Sequence, residues 1–370
     1  MKLKFLNLMM IFVTAVICGC SSGETTPAAD KAEAVTEDPV EKILQSMTLA
    51  EKVGQMVMIG VHGNSVNDDS RYMLTQYHIG GVIFFDRNLE TRAQAKSFAD
   101  DLNKTAAEKV PLFFAIDEEG GIVARMKHEI TPPPSQAEIG RSGDSSQAYR
   151  YANSVAQDLK SIGVNVNFAP VADVGTRDTR SFSDNENVVA EFVDAAARGY
   201  EDAGIFYCLK HFPGIGLGVV DSHVEVSTID ASREILETID LVPFRKIIAA
   251  HDNSRFMVMV GHLRYSALDA GNSASVSPAV MKILRDELGF SGVIITDDLE
   301  MGAIANHSEF KDVGVAAIKA GADIALICHE YPHETDVYLG ILNAVERGEI
   351  SEERINESVR RILKMKLALS

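Results

Sequence analysis

The chain has 370 residues, of which 46% are hydrophobic and 24% are charged, and its formal net charge is −18. This composition is typical of a globular protein, and the length suits one large domain, such as an α/β barrel, or two smaller ones. The negative charge argues against a broad basic surface for nucleic acid. An anionic substrate would therefore have to be bound by local positive side chains.

The first twenty residues have the pattern of an export signal. Two lysines near the start precede a mostly apolar stretch over 5–17, and small residues follow. Basic, apolar and small-residue regions in this order are typical of a cleaved signal peptide. The apolar stretch is shorter than the roughly twenty residues that a membrane-spanning helix needs. A buried N-terminal helix is the less favoured alternative, because polar sequence follows at once.

The run Ile17-Cys18-Gly19-Cys20 resembles a bacterial lipobox, which implies lipidation of Cys20. We therefore expect a signal peptide over 1–19 and a flexible tether over 20–38, where Ala, Thr, Glu and Pro dominate and apolar residues are few. The expected location is exported and lipid-anchored to a bacterial membrane, on the outer-membrane and periplasmic side or at the cell surface. The other two cysteines, Cys208 and Cys328, lie in apolar runs and are predicted to be buried thiols.

After the tether, short β-branched or aromatic runs alternate with longer segments that have apolar residues at helical spacing. The predicted strands cover residues 55–61, 81–85, 112–117, 164–169, 206–211, 256–262, 292–297 and 323–327. The predicted helices cover 93–107, 148–161, 189–203, 236–250, 277–288 and 309–320, and a terminal helix over 352–369 is expected to cover the barrel. Eight βα units predict a single (β/α)8 TIM barrel over residues 39–370.

Polar side chains stand at the carboxyl ends of several predicted strands. They are Asp117 after the third strand, Asp173 after the fourth, Lys210 and His211 at the fifth, His262 at the sixth, and Asp297 and Asp298 at the seventh. Barrels of this class build their active sites at that end. A single polar residue at a strand end often has no role, but several that converge predict a functional site.

One stretch is specific enough to indicate a family. The run from Lys210 to Gly216 reads KHFPGIG, and after four more residues come Asp221, Ser222 and His223. This pattern resembles the diagnostic motif of β-N-acetylglucosaminidases in glycoside hydrolase family 3. Ile215 departs from it, because the family usually has His or Leu there, but no catalytic group is lost.

Other matches extend over nearly the whole chain beyond the tether. The run GFSGVIITDDLEM over 289–301 resembles the family's nucleophile segment, and DEEGGIVAR over 117–125 resembles its Asp-x-Glu-Gly-Gly segment. The resemblance implies that Asp297 is the nucleophile and that Asp221 and His223 supply the acid/base. It also implies a sugar subsite formed by Asp117, Arg125, Arg180, Lys210 and His211.

The implied activity is retaining removal of terminal β-linked N-acetylglucosamine from peptidoglycan fragments or chitin-like oligosaccharides. No metal or organic cofactor is implied, and a monomer is expected. A carboxylate below the anomeric carbon can stabilise an oxocarbenium-like state and trap it covalently. A histidine can replace the usual carboxylic acid as acid/base, because its pKa of about 6.5 lies near working pH. Asp221, two residues before His223, would lie on the same side of an extended segment and orient the imidazole.

Three glycines in the motif, Gly214, Gly216 and Gly218, predict a loop with unusual backbone freedom. We hypothesise that this loop closes on bound substrate and brings His223 into place. The glycines lack the Gly-Lys-Ser/Thr ending of a phosphate-binding P-loop and the spacing of a dinucleotide fold.

Several alternatives stay open at this point. Phosphate could replace water as the acceptor, or the chain could be an inactive sugar-binding lipoprotein. A metal-dependent hydrolase would use Asp221, His223, His211 and His262 as ligands, and Lys210 could form a Schiff base. Supporting rather than catalytic roles are predicted for three carboxylates, Glu118, Glu119 and Glu300. Surface or packing positions are predicted for His128, His251 and His329, and no chemical role is predicted for Arg264 and Tyr265.

Overall fold

The computed structural model describes residues 38–106, 109–127, 129–216, 227–302 and 309–368. Eight parallel strands close into a barrel in which each strand pairs with the next and the last pairs with the first. They are β1 Val57–Gly60, β2 Gly81–Phe84, β3 Phe113–Ile116, β4 Val166–Asn167, β5 Phe206–Phe212, β6 Phe256–Val260, β7 Val293–Asp298 and β8 Ile324–Ile327. The eight predicted strands and the (β/α)8 barrel are therefore confirmed.

Most strands of the barrel are apolar along their whole length because helices cover their outer faces. Every residue of β5 and β6 is buried, for example, including the side chains that point into the barrel. The helices are α1 Pro39–Gln45, α2 Leu49–Gln55, α3 Asp68–Gln76, α4 Arg92–Ala106, α5 Gln136–Arg141, α6 Ser146–Ser161, α7 Glu186–Ala203, α8 Arg233–Ile235, α9 Leu241–Ala250, α10 Pro278–Lys282, α11 Phe310–Ala320, α12 Tyr331–Glu346 and α13 Glu352–Leu367. Among the described helices, none is both long and apolar enough to cross a membrane.

Helix α12 is absent from the sequence prediction, and its packing explains why. Gly340 stands in its middle, and glycine weakens a helical pattern. A Cβ atom at Gly340 would come within 2.4 Å of the Lys311 carbonyl oxygen on α11. The glycine is thus required by the close approach of two helices, which the sequence pattern does not reveal.

Two further details differ from the predictions. The helix expected over 236–250 contains a π-helical turn at Leu236–Asp240, between α8 and α9. A small sheet formed by Thr228–Ile229, Arg264–Tyr265 and Asp269–Ser273 stands outside the barrel. Its strands are too short and too polar to be recognised from alternation alone.

The amino ends of the barrel strands are covered by the terminal helices. Asp38, before α1, lines the same cavity as Gly292, which precedes β7, and as Arg360 of α13. Helix α13 therefore covers this end, as predicted, and the opposite end of the barrel is left for the site. Cys208 and Cys328 are buried free thiols, also as predicted. The proposed signal, the lipobox and the tether up to residue 37 lie outside the described residues. Asp38, the last residue of the predicted tether, caps α1.

Candidate active site

A pocket of about 220 Å³ opens at the carboxyl ends of the strands. Every barrel strand except β1 contributes to its wall, either directly or through the loop that follows. The charged and imidazole side chains that line it are Asp117, Glu119, Arg125, Arg180, Lys210, His211, His262, Asp297, Asp298 and His329. The structure therefore brings together all the predicted sugar-subsite residues and the predicted nucleophile.

Four charged side chains on one side of the pocket form a buried ion-pair network. Lys210 Nζ lies 2.6 Å from Asp117 Oδ1 and 2.6 Å from Glu119 Oε1. Arg180 donates two hydrogen bonds of 2.8 Å to the carboxylate of Glu119. Burial raises the pKa of Glu119, but the charges of Lys210 and Arg180 outweigh burial and hold the pKa well below its usual range. The network therefore presents fixed charges and hydrogen-bonding groups suited to sugar hydroxyls.

His211 is held in one orientation by a buried carboxylate. Its Nδ1 lies 2.8 Å from Asp173 Oδ2, and its backbone N–H donates to Asp173 Oδ1 at 3.1 Å. Its Nε2 lies 3.4 Å from Arg180 Nη2, and arginine can only donate. We therefore assign the proton to Nδ1 and the acceptor role to Nε2, which faces the pocket.

Arg125 and Phe85 form the wall beside β2 and β3. The Arg125 guanidinium lies 5.3 Å from the centre of the Phe85 ring, and its Nη2 is 3.5 Å from Asp117 Oδ2. Its buried Nε has no hydrogen-bond partner in the described part of the chain. Arg125 thus retains hydrogen-bonding capacity that a sugar hydroxyl could use.

Asp297, the predicted nucleophile, lines the pocket. It is the second-to-last residue of β7, and its Oδ1 accepts the backbone N–H of Asp298 at 2.9 Å. Burial raises the pKa of Asp297, but the imidazoles of His211 and His262, that N–H and the charge of Lys210 together lower it below its ordinary value. Asp297 is therefore ionised at neutral pH, as a nucleophile requires.

His262 fixes the backbone that follows Asp297. One ring nitrogen, Nε2, donates to the Asp298 carbonyl oxygen at 2.8 Å, and Nδ1 accepts from the Ser275 hydroxyl at 2.8 Å. Because both ring nitrogens are engaged, neither has a lone pair free to bind a metal ion. Within the described ranges no group of three or more His, Cys, Asp or Glu side chains could hold a metal ion.

His329 is exposed at the surface, as predicted, but it also belongs to the site. Its ring lines the pocket, with Nε2 3.2 Å from Asp298 Oδ2 and its centre 5.4 Å from that of Phe85. The hydrogen bond with Asp298 raises its pKa. Its signal in the sequence was its place directly after the eighth strand, which is equivalent to the places that marked the other site residues.

The predicted supporting carboxylates have the contacts expected of them. Glu300 accepts the backbone N–H groups of Cys328, His329 and Glu330 at the start of α12. Glu118 accepts those of Arg125 and Met126, and its burial raises its pKa. Glu119 differs from the other two because it contacts Lys210 and Arg180 directly and lines the pocket. Asp221 and His223 lie outside the described residues, as do Gly218 and His128, so their positions stay predictions.

Seven barrel strands that converge on a candidate acidic nucleophile and on three cationic side chains form the active-site arrangement of a barrel enzyme. The sequence profile described as glycosyl hydrolase family 3 N terminal domain matches residues 48–365. The chain belongs to this family.

Individual relatives support the assignment. The chain is 32% identical to a β-hexosaminidase of Nitrosomonas eutropha over 82% of this chain and 90% of the relative. It is 35% identical to β-hexosaminidase A of Pseudoalteromonas piscicida over 80% of this chain, but it spans only 54% of that protein. The solved structure of a family 3 β-N-acetylglucosaminidase from Paenibacillus sp. str. FPU-7 is similar at a TM-score of 0.84 and 39% identity, covering 87% of this chain and 62% of that one.

Proposed function

We propose that this protein is a retaining exo-β-N-acetylglucosaminidase that removes terminal β-linked N-acetylglucosamine through a glycosyl-enzyme intermediate. The single observation that supports it most is the position of Asp297. An ionised carboxylate stands at the end of a rigid strand and faces a pocket whose other wall carries Asp117, Lys210, Glu119 and Arg180. Two of the relatives that the chain matches are named β-hexosaminidases.

In the proposed reaction, Asp297 attacks the anomeric carbon while the acid/base protonates the departing oxygen. The same group then removes a proton from water, which attacks the sugar and releases Asp297. Two inversions give net retention. The acid/base role of Asp221 and His223 rests on the motif that contains them. The pocket residues contribute by binding the sugar hydroxyls and by excluding water from the reacting carbon.

Hydrolysis of a chromogenic β-N-acetylglucosaminide, compared with the matching β-glucoside, tests the activity. We expect a strong preference for the N-acetylated substrate, and Asp297→Ala should lower kcat by on the order of 1,000-fold or more. Added azide should restore turnover of Asp297→Ala and give the α-glycosyl azide, because azide then attacks from the vacant face. Undiminished activity of Asp297→Ala, or rescue that yields the β-azide, would contradict the mechanism.

The phosphate alternative is decided by product analysis in the same assay. Hydrolysis predicts free N-acetylglucosamine, released first as the β-anomer, whether or not inorganic phosphate is present. If a sugar 1-phosphate accumulated in phosphate buffer, phosphate rather than water would be the acceptor. Asp297 would still be the nucleophile.

We also propose that the protein is exported and anchored to a membrane through a lipid on Cys20, and that it acts on peptidoglycan fragments or chitin-like glycans that reach this compartment. The support is the sequence of the first twenty residues, with its basic start, apolar stretch and lipobox-like Ile17-Cys18-Gly19-Cys20.

A further inference from the structure

Behind His211 lies a second buried carboxyl group that the proposed mechanism does not use. Asp240 ends the π-helical turn Leu236–Asp240, and it is only 1% exposed. Neither of its carboxyl oxygens has a hydrogen-bond partner in the described part of the chain. A buried polar group without partners is rare in folded proteins and points to a role.

Asp240 and Asp173 contact neighbouring residues of the same loop. A Cβ atom at Gly214 would come within 2.7 Å of Asp240 Cβ and 2.8 Å of its Oδ1. The next residue, Ile215, donates its backbone N–H to Asp173 Oδ1 at 3.0 Å. The Tyr265 hydroxyl donates to the Gly214 carbonyl oxygen at 2.7 Å and thus fixes the same turn without serving Asp240. Both carboxyl groups therefore lie against the backbone at 214–215.

The two carboxyl groups differ sharply in their hydrogen bonds. Asp173 accepts two backbone N–H groups and the Nδ1–H of His211, whereas no other described residue donates to Asp240. Two buried carboxyl groups near each other do not both ionise readily, and a carboxyl group without donors favours its neutral form. In the described part of the chain, Asp173 is the charged group that acts on Asp240. Burial raises the pKa of the Tyr265 hydroxyl, and the charges of Asp173 and Asp240 raise it further. Burial, and then the charge of Asp173, raises the pKa of Asp240 to about 7.

We propose that Asp240 is a positioning residue that acts through Asp173: its neutral carboxyl group packs against Gly214 and leaves Asp173 as the lone anion that orients His211 toward the sugar. When Asp240 loses its proton, a second negative charge arises beside Asp173 in a buried place. Asp173 and the turn at 214–215 then shift, and His211 loses its fixed orientation. This inference rests on the proposed function, because it concerns the same sugar site.

The test is the affinity for N-acetylglucosamine, measured by calorimetry across pH for the wild type, Asp240→Asn and Glu334→Gln. We measure affinity rather than turnover, because the turnover rate also depends on the ionisation of the acid/base. We expect the wild-type affinity to fall up to about tenfold per pH unit above about pH 7. Asp240→Asn, which mimics the neutral acid, should keep its affinity at alkaline pH.

Glu334→Gln is the matched control. Glu334 is also fully buried with both carboxyl oxygens unpartnered, but it lies on α12, and burial raises its pKa to about 9. This variant should follow the wild-type profile. Identical profiles for the wild type and Asp240→Asn, or no pH dependence in the wild type, would overturn the inference alone. A wild type that binds no sugar at any pH would instead overturn the sugar site itself.

If Asp240→Asn does not fold, infrared spectroscopy decides the question on Glu334→Gln. Among the described residues, Glu334 is the other acid whose two carboxyl oxygens are both buried and unpartnered. The C=O band of a protonated, unbonded carboxylic acid should be present below about pH 7 and fade above it. Absence of that band at acidic pH would contradict a neutral Asp240.

Discussion

At the residue scale, glycines of the Lys-His-Phe-Pro-Gly motif serve close packing. A Cβ atom at Gly216 would lie within 1.7 Å of the Val174 carbonyl oxygen, and Gly214 has a φ of 133° and lies against Asp240. The positive φ of Gly214 is the kind of unusual backbone conformation that the sequence predicted. In the described part of the loop, Gly214 and Gly216 also allow the backbone to approach its neighbours.

Gly216→Ala should therefore lower both the stability and the affinity for the sugar, because the new methyl group would displace the backbone at Val174, next to Asp173. We expect the free energy of unfolding to fall by about 1–3 kcal/mol, as in other overpacked sites. Urea unfolding and KM measure the two effects. The control is Gly271→Ala, where the nearest atom to a new Cβ is 3.5 Å away. Equal behaviour of the two variants would contradict a steric role for Gly216.

At the element scale, His251 joins α7 to the segment after α9. Its Nδ1 lies 2.9 Å from Glu201 Oε1 and its Nε2 lies 3.0 Å from Asp194 Oδ1, so both ring nitrogens face carboxylates. Only the protonated ring can donate to both. The hydrogen bond to Glu201, opposed by burial and reinforced by that to Asp194, raises the pKa of His251.

The stability should depend on pH in a direction that this shift determines. Because the folded-state pKa of His251 lies above the unfolded value of about 6.5, its stabilisation is complete below about pH 6.5 and is lost as pH rises through the folded-state pKa. His251→Gln should be less stable than the wild type at acidic pH, and the difference should shrink at alkaline pH. Urea unfolding of both proteins across pH measures this. If the stability difference between the wild type and His251→Gln grew with pH, it would contradict this role of protonated His251.

Helix α13 depends on one buried aspartate at the start of β8. Asp323 accepts hydrogen bonds from Ser358 at 2.6 Å and Arg361 at 2.9 Å on that helix, and from the backbone N–H of Ile294 at 2.9 Å. Arg285 also pairs with it. The aspartate thus joins the terminal helix to two barrel strands, far from the pocket.

Asp323→Ala should lower the free energy of unfolding by about 3–5 kcal/mol, because it leaves buried arginines without their partner. The kcat/KM of the folded fraction should be unchanged, since Asp323 lies at the end of the barrel opposite the pocket. Chemical denaturation together with the chromogenic assay checks both parts. Asp312→Ala, on the exposed first turn of α11, provides a control of the same chemistry.

At the scale of the whole molecule, the two ends of the barrel have different roles. The carboxyl ends of the strands form the pocket, whereas the amino ends are closed by α13 and receive the chain at Asp38. The protein is acidic overall, yet the pocket contains Arg125, Arg180 and Lys210. Asp117 and Glu119 balance these cations locally, so the pocket suits a neutral, hydroxyl-rich ligand.

The proposed anchor gives a prediction at this scale. Cys20→Ala should move the protein from the membrane fraction to the soluble exported fraction without changing kcat/KM, because the pocket is formed by residues beyond 38. Cys18→Ala, two positions earlier, is the matched control and should stay in the membrane fraction. Fractionation with metabolic labelling by a radioactive fatty acid measures both, and a labelled Cys20→Ala protein would contradict the assignment.

The sequence by itself determined the barrel and most of the site. Apolar runs that alternate with helical segments predict the strands and their order along the chain. Polar residues such as Asp117, Lys210 and Asp297 stand at strand ends, and these ends meet at one edge of a parallel barrel. Local pattern carries this information. Only the tertiary structure decided which groups interact: Glu119 with both Lys210 and Arg180, Asp173 with His211, His329 with Asp298, and Asp240 with Gly214. These pairs join distant parts of the chain, and their pKa values and orientations follow from burial and contact distances, which no local pattern contains.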